Sequence, residues 1–220
     1  MKYSMKDKKI THKWLKWHGA CEDKLNAFNE QYPNGAGALE AITFYLYLGY
    51  QAFASRIVDN LPFKETPLKF ENVQEGDIFY PGNVYINGTV NSINKIYIKG
   101  NLNVKKQLIV KDKENIYAKS VEAKKIDISD RAFIYANCVN ANTIDISKEA
   151  LIYAQTEAKM IMLLGGHIRG NVEAKTIHNN KGLIFGDVKA DEVKLINDGK
   201  ISGNIQTQHL SRYTVKPRLY

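Results

Sequence analysis

Two hydrophobic rhythms divide the chain. Up to about residue 62, apolar residues recur at helical spacing. Thr11 is placed to cap a short helix holding Trp14, Leu15 and Trp17, which Gly19 ends. Cys21, Leu25 and Phe28 then fall on one face of a helix over about 21–31, and the spacing reads Cys21 as a core position. Pro33, Asn34 and Gly35 break that pattern. A third helix is predicted over about 38–60, with Leu39, Ile42, Leu46, Phe53 and Ile57 on its apolar face. Pro62 and Pro67 mark a linker.

From about residue 78 the period changes to two, and Ile and Val dominate. Within this region one phrase returns: NIYAKSV, FIYANCV, LIYAQTE, HIRGNV, LIFGDV, KISGNI. Its small residue falls at Ala118, Ala136, Ala154, Gly170, Gly186 and Gly203, at intervals of 18, 18, 16, 16 and 17. A second phrase, V-x-A-x-x-I-x-I, alternates with it. It places Val121, Ala123, Ile126 and Ile128 on an inner face and Glu122, Asp127 and Ser129 outside. One unit of this size cannot bury its own apolar face, whereas a stack of units buries a continuous one. A sandwich or barrel also has many short strands but does not bring one phrase back in one register. The expected fold is therefore α+β. A helical N-terminal cap spans 1–62, a linker 63–77, a parallel β-helix of about seven coils 78–210, and a basic tail 211–220. A repeat of 16 to 18 residues fits three short sides, and the absence of a hexapeptide rhythm points to a right-handed triangular form.

Composition narrows the function classes. Hydrophobic residues make up 44% of the chain and charged residues 25%, as in an ordinary globular protein. The net charge of +8 invites a nucleic-acid reading, but the charge is dispersed. Residues 71–210 hold eighteen Lys and Arg against sixteen Asp and Glu, with no dense basic block, so no specific nucleic acid is expected. The two cysteines, Cys21 and Cys138, have neither disulfide nor metal-site spacing. The apolar stretch 41–54 is too short to span a membrane, and the charged start is not of signal-peptide type. A cytoplasmic protein with reduced thiols is expected.

The run G-D-V-K-A-D-E-V-K-L-I-N-D-G-K-I-S-G-N-I, residues 186–205, resembles the repeat of the bactofilins, bacterial polymer-forming cytoskeletal proteins. V-E-A-K-T-I, residues 172–177, is similar to the same repeat. The resemblance covers about residues 84–210. It implies a right-handed triangular β-helix, no cofactor and self-assembly. The chain departs from that family in its sixty or so helical residues in front, which are placed to cover the first coil and block end-to-end growth. I-T-H-K-W-L-K-W-H-G-A-C-E-D-K-L, residues 10–25, resembles a start found in uncharacterised bacterial and prophage-encoded proteins.

Few residues suggest chemistry. His167, His178 and His209 sit beside Gly or Asn or near the end of the repeats, which reads them as turn or surface residues rather than a general base. Asp127, Asp145 and Asp191 recur near equivalent places, with lysines close by to neutralise a cation ladder. Cys138 stands where other units have Ser120, Thr156 and Asn171. No catalytic or metal residue and no cofactor is expected. Trp14 and Trp17 on the first helix, and Arg212, Tyr213, Lys216 and Arg218 in the tail, are candidate partner-binding residues. The leading expectation is a non-catalytic scaffold or protein-interaction module that binds itself, as a homo-oligomer, or another protein, with the C-terminal coil as the self-association end. An immunity or anti-defence protein from a mobile element is one alternative. A β-helix acyltransferase or carbohydrate-active enzyme is the other.

Overall fold

The computed structural model describes residues 9–91 and 93–215. Four helices come first. Helix α1 spans His12–Trp17, and the Thr11 hydroxyl caps it by accepting from the Trp14 amide at 3.2 Å. Helix α2 spans Glu22–Gln31. The single helix expected over 38–60 is two, α3 (Ala38–Tyr47) and α4 (Gln51–Asn60). Gly49, at φ +77°, breaks the helix between them in a conformation most residues avoid. Ile10, Leu15, Phe28, Ile42, Tyr45 and Ile57 form the buried centre of this helical unit. Tyr45 satisfies its phenol there by donating to the Lys24 carbonyl at 3.0 Å.

The remainder is a parallel β-helix of about nine turns. Its strands are β1 (Lys64–Phe70), β2 (Gly76–Tyr80), β3 (Gly82–Ile86), β4 (Ile93–Ile98), β5 (Asn101–Val110), β6 (Asn115–Tyr117) and β7 (Ser120–Ile128). There follow β8 (Phe133–Ser147), β9 (Leu151–Leu164), β10 (His167–Arg169), β11 (Val172–Asn180), β12 (Leu183–Phe185), β13 (Val188–Ile196), β14 (Lys200–Ile201) and β15 (Ile205–Tyr213). Two expected boundaries move. Residues 63–77 are not only a linker, because β1 pairs in parallel with β3 and begins the solenoid. The tail starts later than residue 211, because β15 pairs with β13 as far as Tyr213. The irregular sequence of the first coils hid them, since 64–100 lacks the small-residue phrase that marks later turns.

Every turn lays like on like. Ile96, Ile116, Ile134, Ile152, Ile168 and Ile184 are register partners in succession, and all are fully buried. A second inner column runs Val121, Val139, Thr156, Val172, Val188, and a third Ile126, Ile144, Ile161, Ile177, Val193. Each such side chain stabilises the fold by about 1.5–3 kcal/mol relative to exposure. Because strand hydrogen bonds join successive coils, no coil completes its backbone pairing alone.

The corners use three devices. At Asp112–Lys113, Asp130–Arg131, Lys148–Glu149 and Asn197–Asp198, two consecutive non-glycine residues adopt positive φ. This conformation costs about 1 kcal/mol or more per residue. Stacking offsets it, since the amide of Lys113 donates to the Asp130 carbonyl at 3.1 Å and that of Arg131 to Lys148 at 3.0 Å. At the corner following Gly170 and Gly186, a side-chain oxygen ties each coil to the next: Asn171 Oδ1 accepts from the Asp187 amide, and Asp187 Oδ1 from that of Asn204. The third device is the absence of a side chain. A Cβ at Gly170, where φ is +142°, would collide with the Ala154 carbonyl of the preceding coil. Gly170→Ala is expected to lower stability by about 1–3 kcal/mol, read from the urea midpoint, through that overpacking. Lys159→Ala, on the exposed surface, is expected to change it by less than about 0.5 kcal/mol.

Candidate functional site

The residues singled out for chemistry do not converge. His167, His178 and His209 lie on strands β10, β11 and β15 rather than in turns, and in three different columns. Asp127 and Asp145 are register partners, with Lys125 Nζ at 2.7 and 3.0 Å from their carboxylates. Burial together with the neighbouring Asp127 charge pushes the Asp145 carboxyl upward. Asp191 is not in that column, whose member on its coil is Lys194. Among the described residues no group of His, Cys, Asp and Glu could hold a metal ion. Cys138 pairs with Ser120 and Gln155; Thr156 faces the core. Cys21 is not a core residue: it is exposed at the N-cap of α2, and hydrogen bonds from Lys24 pull its thiol downward.

The partner-binding candidates divide. Trp14 is half-buried, lies against the His18 ring at 4.0 Å between centroids and packs on the helical core, whereas Trp17 is 85% exposed. Arg212 and Tyr213 belong to strand β15. Lys216 and Arg218 lie outside the described residues.

Two surfaces stand out. The first is the C-terminal coil. Strand β15 pairs with β13 through eight register partners, and its other edge pairs with no strand among the described residues. Leu210 continues the column of fully buried Ile161, Ile177 and Val193 but is 47% exposed. Arg212 occupies the inner column of Leu163, Asn179 and Leu195. The first coil is finished differently. Strand β1 contains Pro67, which offers no amide, and its register shifts between Lys64 and Leu68; helices α3 and α4 contact the next strand, β2, and Leu39 of α3 packs against the solenoid core.

The second surface is an outward column on the side of the short strands. Residues next to the buried isoleucines stack there: Phe79, Tyr97, Tyr117, Tyr135 and Tyr153, with ring centroids 5.4–6.1 Å apart. Arg169 takes the next place, its guanidinium between the rings of Tyr153 and Phe185 at 6.0 and 5.3 Å. The helices cover the start of this column. Phe79 is buried in the helical core, the Tyr97 phenol donates to the Asp59 carboxylate at 2.9 Å, and Lys99 Nζ donates to the Leu61 carbonyl at 2.6 Å. Burial, and then the bond to Asp59, push the Tyr97 phenol up to about 12. Beyond the helices the column is open: Tyr135 is 51% exposed, Tyr153 44% and Phe185 43%. The recurring I-Y in the repeat phrase is the signal that could have revealed it, since an aromatic next to each buried isoleucine must face outward.

No protein-family model, curated protein or solved structure matches the chain. No helix among the described residues is long and apolar enough to cross a membrane.

Helix and solenoid meet at a pH-sensitive contact. Asp77 on β2 accepts from Gln51 Nε2 of α4 at 3.2 Å and is the register partner of Lys95. Burial pushes its carboxyl above the ordinary range despite those partners, and burial likewise lowers Lys95. A carboxyl whose pKa is raised on folding contributes its stability below the unfolded value, and that contribution is lost as pH rises through the folded value. Asp77→Asn is therefore expected to raise Tm at pH 7 and to lose that advantage below the ordinary aspartate pKa of about 3.9, as thermal melts across pH would show.

Proposed function

We propose that this chain is a non-catalytic, bactofilin-like scaffold that joins a second copy of itself through the C-terminal coil. The observation that carries this reading is the contrast between the two ends. Strand β15 is a regular nine-residue edge without proline, and it exposes Leu210 from a column buried in every coil from Leu108 to Val193. Strand β1 contains Pro67 and its register shifts between Lys64 and Leu68. Long, flat, unprotected edges are templates for pairing with another chain. A two-fold contact between C-terminal coils would extend the sheet and cover Leu210 together with half-buried Ile201 and Ile205. With the other end broken by Pro67 and a register shift, the product is a closed dimer rather than a filament. The bactofilin-like repeat over 186–205 supports assembly through the same region.

Sedimentation velocity tests this. The wild-type chain is expected to run at about twice its 25.0 kDa mass. Leu210→Lys places a charge in the contact and is expected to yield monomer that still unfolds cooperatively in urea, with a midpoint that no longer rises with protein concentration. A wild-type monomer at concentrations well above those of a micromolar association overturns the proposal. So do a dimer indifferent to Leu210→Lys and long filaments in electron micrographs.

A further inference from the structure

We infer that the open part of the aromatic column is a docking face for a partner protein's amphipathic helix, one that ends in a carboxylate-bearing turn. The chain already makes this contact once with itself. Helix α4 ends on the rung of Tyr97, where the phenol donates to Asp59 and Lys99 donates to the carbonyl of Leu61, two residues on. The pair of donors recurs one coil later. Tyr117 is the register partner of Tyr97, and Lys119 follows it at the same two-residue offset as Lys99 follows Tyr97. The Lys119 amide donates to the Gly100 carbonyl at 2.9 Å, which sets it in line with the preceding coil, and its side chain is exposed. Nothing in the helical unit reaches this second pair through a hydrogen bond or ion pair among the described residues.

The surface next to it has the chemistry of a helix groove. The second outward column beside the tyrosines is polar at its start, with Asp77, Lys95 and Asn115, and mostly apolar further on, with Phe133, Leu151 and Leu183, His167 standing between the two leucines. Five rungs from Tyr117 to Phe185 span about 19 Å at the usual spacing of adjacent strands, the length of a helix of about 13 residues. Arg169 adds a cation that a partner carboxylate can meet.

A helix suits this face better than a sugar or a nucleobase does. Those ligands stack on free ring faces. Here the ring faces are taken by neighbours: Tyr135 and Tyr153 face each other at 29° between planes, the Lys95 ammonium lies 5.3 Å from the Tyr117 ring, and the Arg169 guanidinium lies over Tyr153 and Phe185. Edges and hydroxyls between apolar side chains accommodate an apolar helix face with an acidic margin.

The test uses the full chain carrying Leu210→Lys, so that a failure of self-association does not enter the measurement. The probe is a labelled, hydrocarbon-stapled peptide of residues 51–61, read by fluorescence anisotropy. The tethered α4 holds its own site at an effective concentration near millimolar, so the free peptide reports on the open site. Saturable binding is expected. Tyr117→Phe, which removes only the hydroxyl, is expected to weaken it about tenfold, as loss of a hydrogen bond to a charged group does. The peptide variant Asp59→Asn is expected to weaken binding to the Tyr117 protein but to make little further difference with Tyr117→Phe. Tyr135→Ser with Tyr153→Ser is expected to abolish binding while the far-UV melt stays cooperative. Absence of saturable binding overturns the proposal, as does full additivity of Tyr117→Phe and Asp59→Asn. Binding to phosphatidylserine vesicles that depends on Tyr135 and Tyr153, without peptide binding, also overturns it in favour of a lipid surface.

Discussion

The hydrogen bonds between one coil and the next constrain everything else in this molecule. A coil has no internal ladder, so apart from short corner turns its amides and carbonyls are satisfied by the coils before and after it. This forces register. Once Ile116 sits on Ile96 and Ile134 on Ile116, the residues between them must also fall in columns, inside and outside. The inner columns become a continuous core. The outer columns become straight lines of whatever residue the repeat carries, and a repeated Tyr after a buried Ile becomes a ladder without any further selection for stacking.

The same constraint makes the ends the places where the fold must be resolved. In the first coil, Pro67 removes a donor from the edge strand and a helix packs nearby. Among the described residues the last coil shows neither device. Strand β15 retains the V-x-A-x-x-I spacing of its predecessors, but its inner positions become Ile205, Thr207, Leu210 and Arg212. Arginine in a column otherwise held by Leu163, Asn179 and Leu195 belongs to a coil that borders something other than more core. Its long stem can cover apolar surface while the guanidinium stays in water.

The solenoid was legible because period-two alternation and a phrase of fixed spacing both report stacked coils, and neither depends on contacts between distant residues. Residues such as Val121, Ala123, Ile126 and Ile128 could be assigned to the inside from the sequence. The early coils were not legible, because Leu68, Val84 and Leu102 share a column without a shared phrase around them. The break in the long helix rests on Gly49, which in a helical pattern is tolerated as often as it terminates. The corner pairs were hidden for a different reason. Lys148 and Glu149 carry no left-handed signature, and only the carbonyl of the next coil makes that conformation worth adopting. Placing His167, His178 and His209 in turns failed likewise: nearby Gly and Asn marked corners correctly, but the histidines fall on the strands between them. Cys21 kept helical spacing with Leu25 and Phe28 yet stands at the N-cap position, with no capping bond from its side chain, because the helix begins one residue after it.

The surfaces illustrate how a repeat can carry two kinds of information. Coil-to-coil identity maintains the core, and departures from identity mark where the molecule meets something else. The Tyr column ends in a helix of the same chain at Tyr97 and is interrupted by Arg169, whereas the Ile column behind it runs unbroken from Ile96 to Ile184. The outer positions therefore vary under a different pressure from the inner ones. Where α4 covers the ladder, a phenol and a lysine one coil from an identical pair do the holding. A solenoid built by repetition thus also repeats its own docking site, and the helices in front occupy one copy and leave the next, half-buried Tyr117 with exposed Lys119, without a hydrogen bond to a helix among the described residues.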